Sequence, residues 1–144
     1  MRVLVTGATG FLGRALCPAL VAAGHEVAAA VRNSGNPTIP DNATVHVIPD
    51  IGPETDWTPA LSGKGAVIHL AARAHVMKEP ARDPMGEFNR VNAEGAGRLA
   101  RAAAKAGIGR FVYLSTVKVM GERSAAPFRE TDTPRPEDAY GKSK

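Results

Sequence analysis

The sequence predicts an α/β fold, a doubly wound parallel sheet in three αβα layers with helices on both faces. Short apolar, β-branched runs alternate with helix-length patterns along the chain, which is the order of a parallel sheet. A glycine-rich turn, TGATGFLG at Thr6 to Gly13, stands between the first such run and the first helical pattern. The chemically informative residues gather where strands are predicted to end, and ligands bind outside those carboxyl ends.

The elements follow in order. The first strand is predicted at about residues 2–6. Leu12, Ala15, Leu16, Ala19, Leu20 and Ala23 recur at helical spacing, so the first helix covers about residues 11–23 and Gly24 closes it. Pro18 lies inside this helix and removes the bond to the Arg14 carbonyl, which predicts a kink or a solvent-facing side. Strand two is Glu26–Arg32, closed by the turn Asn33-Ser34-Gly35-Asn36-Pro37. Strand three is about Thr44–Ile48, and Pro53 to Gly63 reads as loop with one short helical turn. Strand four, about Ala66–Leu70, is an apolar run suited to burial on both faces. The longest helical pattern runs from about Asp83 to Ala106. Asp83 suits the N-cap, Pro84 suits the first helical position, and Phe88, Val91, Leu99, Ala102 and Ala103 form an inner face. Gly95 and Gly97 weaken this helix and predict tight packing on a neighbour; Gly107 ends it. Strand five is Arg110–Leu114. Lys118 to Asp138 reads as loop, and a last helix begins near Glu137 or Asp138.

Composition excludes several classes. The 144 residues suit one domain, and 44% hydrophobic with 22% charged residues argues against global disorder. The net charge of +4 is scattered over Arg14, Arg32, Lys64, Arg73, Arg98, Arg101, Lys105 and Arg110, without interleaved aromatics, so no nucleic-acid surface is expected. Cys17 is the single cysteine, which excludes an internal disulfide and a thiolate cage; on the first helix it is expected to be packed or inert. His69 and His75 do not share a helix face and lack a completing carboxylate or thiol, so no metal is expected. There is no leader-like start and no apolar run of the ~20 residues that span a bilayer, so no membrane role is expected and a cytoplasmic protein is the default.

The glycine turn has a mechanism. Gly7 permits the tight turn, Gly10 lets backbone approach a pyrophosphate, and Gly13 lets the helix pack close to the sheet. The helix N-terminus then offers N–H groups and partial positive charge to phosphates. Thr6–Gly13, Arg32, Asp50-Ile51, His69–Ala72 and Ser115-Thr116 all follow strand ends, along one rim where a dinucleotide could lie.

These residues together resemble the extended short-chain dehydrogenase/reductase family, the nucleotide-sugar epimerase, dehydratase and reductase group. The matching segments are TGATGFLG at 6–13, Asp50-Ile51, HLAA at 69–72, VNAEG at 91–95, FVYLST at 111–116 and YGKSK at 140–144. The resemblance implies a Rossmann-type fold, NAD or NADP as cofactor, and a nucleotide-linked sugar, a UDP-hexose, as substrate. A homodimer is the assembly that it suggests for a full-length protein. It implies cofactor contacts from Gly7, Thr9, Gly10, Phe11, Leu12, Gly13, Arg32, Asp50, Ile51, Leu70, Ala71, Ala72 and Asn92. Asp50 would accept from the adenine amino group, and Asn92 would lie near the nicotinamide ribose. The implied catalytic residues are Thr116, Tyr140 and Lys144, with Tyr140 and Lys144 also meeting the cofactor. Thr116 is preferred to Ser115 because it lies five residues before the glycine of Met120-Gly121. The Tyr-x-x-x-Lys spacing has a physical reason. Positions i and i+4 share a helix face, and an ammonium beside a phenol favours the phenolate. Tyr140 could then exchange a proton while hydride moves at the nicotinamide.

Three departures refine the expectation. Val31-Arg32 stands where many relatives that bind NAD place an acid, and an arginine can pair with a 2′-phosphate, which favours NADP. Val117-Lys118 replaces the Asp-Glu of the dehydratase branch, which argues against water elimination, and Met120 replaces a usual tyrosine. The chain reaches Lys144, while family members run to about twice this length. Residues 1–144 are therefore expected to be an NAD(P)-binding domain cut at the catalytic helix, without a sugar-binding lobe and inactive alone. The leading expectation is a nucleotide-sugar 4-epimerase. The alternatives are an NADPH-dependent 4-keto-sugar nucleotide reductase and, from another class, a non-catalytic dinucleotide sensor.

Overall fold

The computed structural model describes residues 1–34, 38–74 and 82–144. The expected turn at Asn33–Pro37 falls partly outside them, and His75 wholly so. Strands β1 (Arg2–Thr6), β2 (Glu26–Val31), β3 (Thr44–Val47), β4 (Ala66–His69) and β5 (Arg110–Tyr113) form one sheet in the order β3-β2-β1-β4-β5. All four pairings are parallel, with Thr6 opposite both Ala30 and His69, Val31 opposite Val47, and His69 opposite Tyr113. The carboxyl ends therefore share one rim, and the order reverses between β1 and β4, where a doubly wound sheet leaves its crevice. β2 to β5 each end one residue before the sequence pattern does. Ladder bonds nevertheless continue past them, from Leu70 N to Thr6 O, Leu114 N to His69 O and Ile48 N to Val31 O.

Side chains alternate across the pleat and build two cores. Leu4, Ala28, Ala30 and Val67 point one way, under Trp57, Ala60 and Leu61 of the short helix region α2 (Thr58–Leu61) and under Leu99 and Ala103 of α4 (Ala96–Lys105). Val3, Val5, Val27, Ala29, Val31 and Ala66 point the other way, against Ala8 and Cys17, with Leu16 and Leu20 of α1 (Phe11–Ala22) packed beside them. Burial pushes the Cys17 thiol pKa up, which leaves it inert. α1 runs through Pro18, which lies on its exposed side. Gly24 at φ +79° and Gly107 at φ +73° end α1 and α4 in the left-handed conformation. In each case the following N–H groups bond back to the last turn: His25 to Leu20 O and Gly24 to Val21 O, then Ile108 to Ala103 O and Gly107 to Ala104 O.

The long helix expected over 83–106 is present with one difference. Asp83 caps it through Gly86 N and α3 covers Pro84–Phe88. Asn89–Gly95 is then wound wide as a π-helical stretch before α4 resumes the α-helix. Such widening is rare and concentrates at functional sites. Gly95 sits where a Cβ would lie 2.8 Å from Ile51 Cγ2, so the tight packing expected of it is real, against the loop after β3.

Gly13 is the least replaceable glycine by packing. An added Cβ would fall inside the carbonyl oxygens of Gly7 and Ala8, which are backbone and cannot step aside. Gly13→Ala is expected to destabilise the fold by about 3 kcal/mol, the upper end of overpacking costs, as a lower urea midpoint at unchanged slope. An unchanged midpoint would mean that α1 does not meet the turn this closely.

Candidate functional site

The glycine turn opens the site. Gly7 has φ +69°, and a Cβ there would lie 2.7 Å from Ala71 N, so the turn after β1 rests directly on the chain leaving β4. Gly10 N donates to Gly7 O at 2.9 Å, and Arg14 N donates to Gly10 O at 3.0 Å as the helix begins. No side chain caps α1 and its first turn holds no acid, so its positive end suits an anion. Above this turn lies a cleft of about 490 Å³. Its walls are Gly7, Thr9 and Gly10, then Ala30, Val31 and Arg32, then Ile48, Asp50 and Ile51, then Leu70, Ala71, Ala72, Arg73 and Ala74, closed by Arg90 and Val91. A smaller hollow between Arg2, Glu26, Thr44 and Lys64 lies at the opposite rim, away from the switch point.

Most of the residues expected at a cofactor therefore meet in one cavity. Phe11, Leu12, Gly13, Asn92, Tyr140 and Lys144 stand outside its walls. Phe11 is 92% exposed, and Gly13 is buried under the turn. The structure adds Arg73, Ala74, Arg90 and Val91. Arg90 has no local signal: it lies 40 residues from Asp50, yet its Nη1 donates to Asp50 Oδ2 at 2.7 Å. That guanidinium, hydrogen-bonded to Asp50, holds its carboxyl below the usual range, and Arg32 adds a smaller charge effect.

Asn92 is placed differently from the expectation of a ribose contact. It is 2% exposed. Its Oδ1 accepts from Arg73 N at 2.7 Å, while its Nδ2 donates to Arg73 O at 3.0 Å and to Ser143 Oγ at 2.9 Å. Both amide hydrogens are thus used within the chain. Ser143 in turn donates to Tyr140 O at 2.8 Å. The wide turn brings Asn92 inward, where it ties the loop after β4 to the helix carrying Tyr140. Ser143, 4% exposed, links Asn92 to the Tyr140 carbonyl, a contact that only its place inside YGKSK could have suggested.

That last helix, α5 (Ala139–Ser143), begins where expected. Asp138 caps it, with Oδ1 accepting from Gly141 N at 2.6 Å. Lys118 Nζ reaches Asp138 Oδ2 at 2.5 Å and Glu122 Oε1 at 3.0 Å. The residue that stands where a dehydratase acid was sought thus braces the tyrosine helix. Thr116 caps the 3₁₀ turn Val117–Val119, its Oγ1 accepting from Lys118 N at 3.3 Å. The Tyr140 ring lies 6.3 Å from that of Phe88. Lys144 Nζ sits 4.2 Å over the Tyr113 ring, and burial lowers its pKa to about 8. On its other neighbour, Tyr113 stacks with His69 at 5.8 Å. His69 Nδ1 pairs with Thr6 Oγ1 at 2.6 Å, and Thr6 Oγ1 also accepts from Ala71 N at 3.2 Å. Among the described residues, no three His, Cys, Asp or Glu could hold a metal and no helix is long and apolar enough to cross a membrane.

Comparison with known proteins agrees with this geometry. The model of the NAD dependent epimerase/dehydratase family matches residues 3–144. UDP-glucose 4-epimerase of Vibrio cholerae is 37% identical over 99% of this chain and 43% of its own length. A 3-beta-hydroxysteroid dehydrogenase of Mycolicibacterium neoaurum is 36% identical over 99% of this chain and 40% of its own. Among solved structures, a UDP-galactose 4-epimerase superposes at TM-score 0.82 with 29% identity, covering 100% of this chain and 48% of that one. MoeE5 in complex with UDP-glucuronic acid and NAD superposes at 0.81 with 33% identity, covering 99% and 46%. The chain spans less than half the length of these relatives. It belongs to the NAD dependent epimerase/dehydratase family.

Buried His69 is expected to make folding stability depend on pH. Burial, with a smaller effect of the Lys144 charge, lowers its pKa from 6.5 to about 4. Between those values the unfolded chain binds the proton and the folded chain does not, so stability falls as pH falls. The loss from this group is about 3 kcal/mol between neutral pH and pH ~4. Urea unfolding at about pH 7 and about pH 4.5 should show it. His69→Gln should flatten the dependence, with His46, whose pKa burial also lowers, keeping part of it. An identical slope in wild type and variant would contradict a neutral, buried His69.

Proposed function

We propose that this member of the NAD dependent epimerase/dehydratase family binds NAD(P) in the cleft over the Gly7 turn, and that its whole protein is a nucleotide-sugar 4-epimerase. The observation that carries the reading is the fit of the cleft. It is floored by Gly7, which admits no side chain, and by Gly10, opens on an uncapped helix start, and has Arg32 and Asp50 among its walls. The pyrophosphate belongs at Thr9 and Gly10, the adenosine end at Arg32, Asp50 and Ile51, and the nicotinamide end toward Leu70, Ala71 and Ala72. The bound nicotinamide supplies hydride uptake and return at sugar C4.

The chain's own groups would handle the proton. Thr116 Oγ1 would hydrogen-bond the sugar O4, and the Tyr140 phenolate would take the proton of that hydroxyl and later return it. Lys144, half-buried just after α5, would favour the phenolate when charged. A 4-keto sugar turned over between the two half-reactions takes hydrogen on its other face, which inverts C4. The residues that hold the sugar would lie in the part of the longer relatives that this chain does not span, so residues 1–144 are read as the cofactor half. Arg32 favours one second reading, a 4-keto-sugar reductase using NADPH. Cofactor consumed in proportion to product would identify the reductase, and catalytic cofactor the epimerase.

Calorimetric titration of the chain with NADP and NAD tests the site. NADP is expected to bind at least as tightly. Arg32→Ala should cost NADP about tenfold, the scale of a lost hydrogen bond to a charged group, and leave NAD nearly unchanged. Tighter NAD binding that is indifferent to Arg32 would overturn the preference. Gly10→Val should abolish binding of both while thermal unfolding stays cooperative, because a Cβ at Gly10 has one close contact, Gly7 O at 3.2 Å, and otherwise enters the cleft. Retained binding would show that the turn serves the fold alone.

A further inference from the structure

The Asp50 carboxylate is exposed, and by itself would rotate freely, yet the structure grips it from two sides. Ile51 N donates to Oδ1 at 2.9 Å. Arg90 donates through Nη1 to Oδ2 at 2.7 Å and through Nη2 to Oδ1 at 3.5 Å. Arg90 is itself held from behind by Glu87, whose carboxylate takes Nε at 3.2 Å and Nη2 at 3.4 Å. Two glycines make this reach available. Gly95 lets the π-helical stretch press on the loop after β3, and at Gly52 a Cβ would lie 2.7 Å from Arg90 Nη1. The clasp therefore depends on the wide turn that also carries Asn92.

An ionised carboxylate has about four acceptor positions. Three are taken by Ile51 and Arg90, which leaves one, on Oδ2, of a residue that lines the cleft. A fixed carboxylate with one remaining lone pair accepts a single amino hydrogen and repels a carbonyl oxygen. We infer that Arg90 is a positioning residue for base recognition: it locks Asp50 so that the cleft accepts a 6-aminopurine and discriminates against a 6-oxopurine. The inference rests on the proposed reading that the adenosine end of NAD(P) lies at Asp50.

The test compares NAD with nicotinamide hypoxanthine dinucleotide, in which a 6-oxo group replaces the 6-amino group, by calorimetric titration of the 144-residue chain. Wild type is expected to prefer NAD, and Asp50→Asn to lose the preference. Arg90→Met keeps the apolar stem without the grip, and should lower the preference by about fivefold or more, chiefly through weaker NAD binding. Glu87→Gln, which loosens Arg90 without removing it, should lower it less, and Arg90→Lys should recover only part. If Arg90→Met unfolds, Glu87→Gln and Arg90→Lys carry the comparison. A preference unchanged by these substitutions, or equal losses for both dinucleotides, would overturn the role of Arg90 while leaving the cofactor reading intact. Binding of neither dinucleotide by wild type would overturn both.

Discussion

Backbone meets backbone where β1 and β4 end, and no side chain fits between them. Gly7 touches the chain at Leu70 and Ala71, and Gly13 touches the Gly7 and Ala8 carbonyls. Two segments that are distant in sequence, the Gly7–Gly13 turn and Leu70-Ala71, are thereby stacked at van der Waals distance. Thr6 fixes the stack with a hydroxyl that accepts from Ala71 N and pairs with the buried His69. A cavity forms beside this contact because β2 and β4 then continue on either side of the turn, each contributing its own carboxyl end.

From this stack, order passes outward through the long helix. The wide stretch at Asn89–Gly95 serves two connections at once. Asn92 holds Arg73 at the cleft wall and Ser143 in the last helix, while Arg90 reaches the loop after β3. A five-residue helix such as α5 is marginal without support. Its support comes from Asn92, from the Asp138–Lys118 pair, and from Gly141, where a Cβ would lie 2.8 Å from Lys118 O. The cleft over the Gly7 turn and the tyrosine helix are thus coupled through one buried amide.

The legible parts of this arrangement are local. Glycines at 7, 10 and 13, the caps at Asp83 and Asp138, and the apolar strand runs each declare themselves within a few residues, because turns, caps and periodicity are short-range effects. The parallel order then places the site on one rim without further information. What stayed hidden is long-range. No pattern ties Asp50 to Arg90, or Asn92 to Arg73 and Ser143, and nothing in periodicity announces a helix wound wide at Asn89. Lys118 shows the limit well: in the sequence it is a missing acid, whereas in the structure it is a brace for the tyrosine helix. Strand ends shift by one residue because ladder bonding fades gradually at a sheet's edge.

The central claim is that the rim built around Gly7 receives a dinucleotide. Backbone amide chemical shifts, followed by NMR as NADP is added to the chain, test it most directly. The account predicts saturable shifts at Gly7, Thr9, Gly10, Asp50, Ile51, Ala71 and Ala72, with smaller ones at Arg73 and Arg90. Shifts confined to Arg2, Glu26, Thr44 and Lys64 at the opposite rim, or none that saturate, would contradict it.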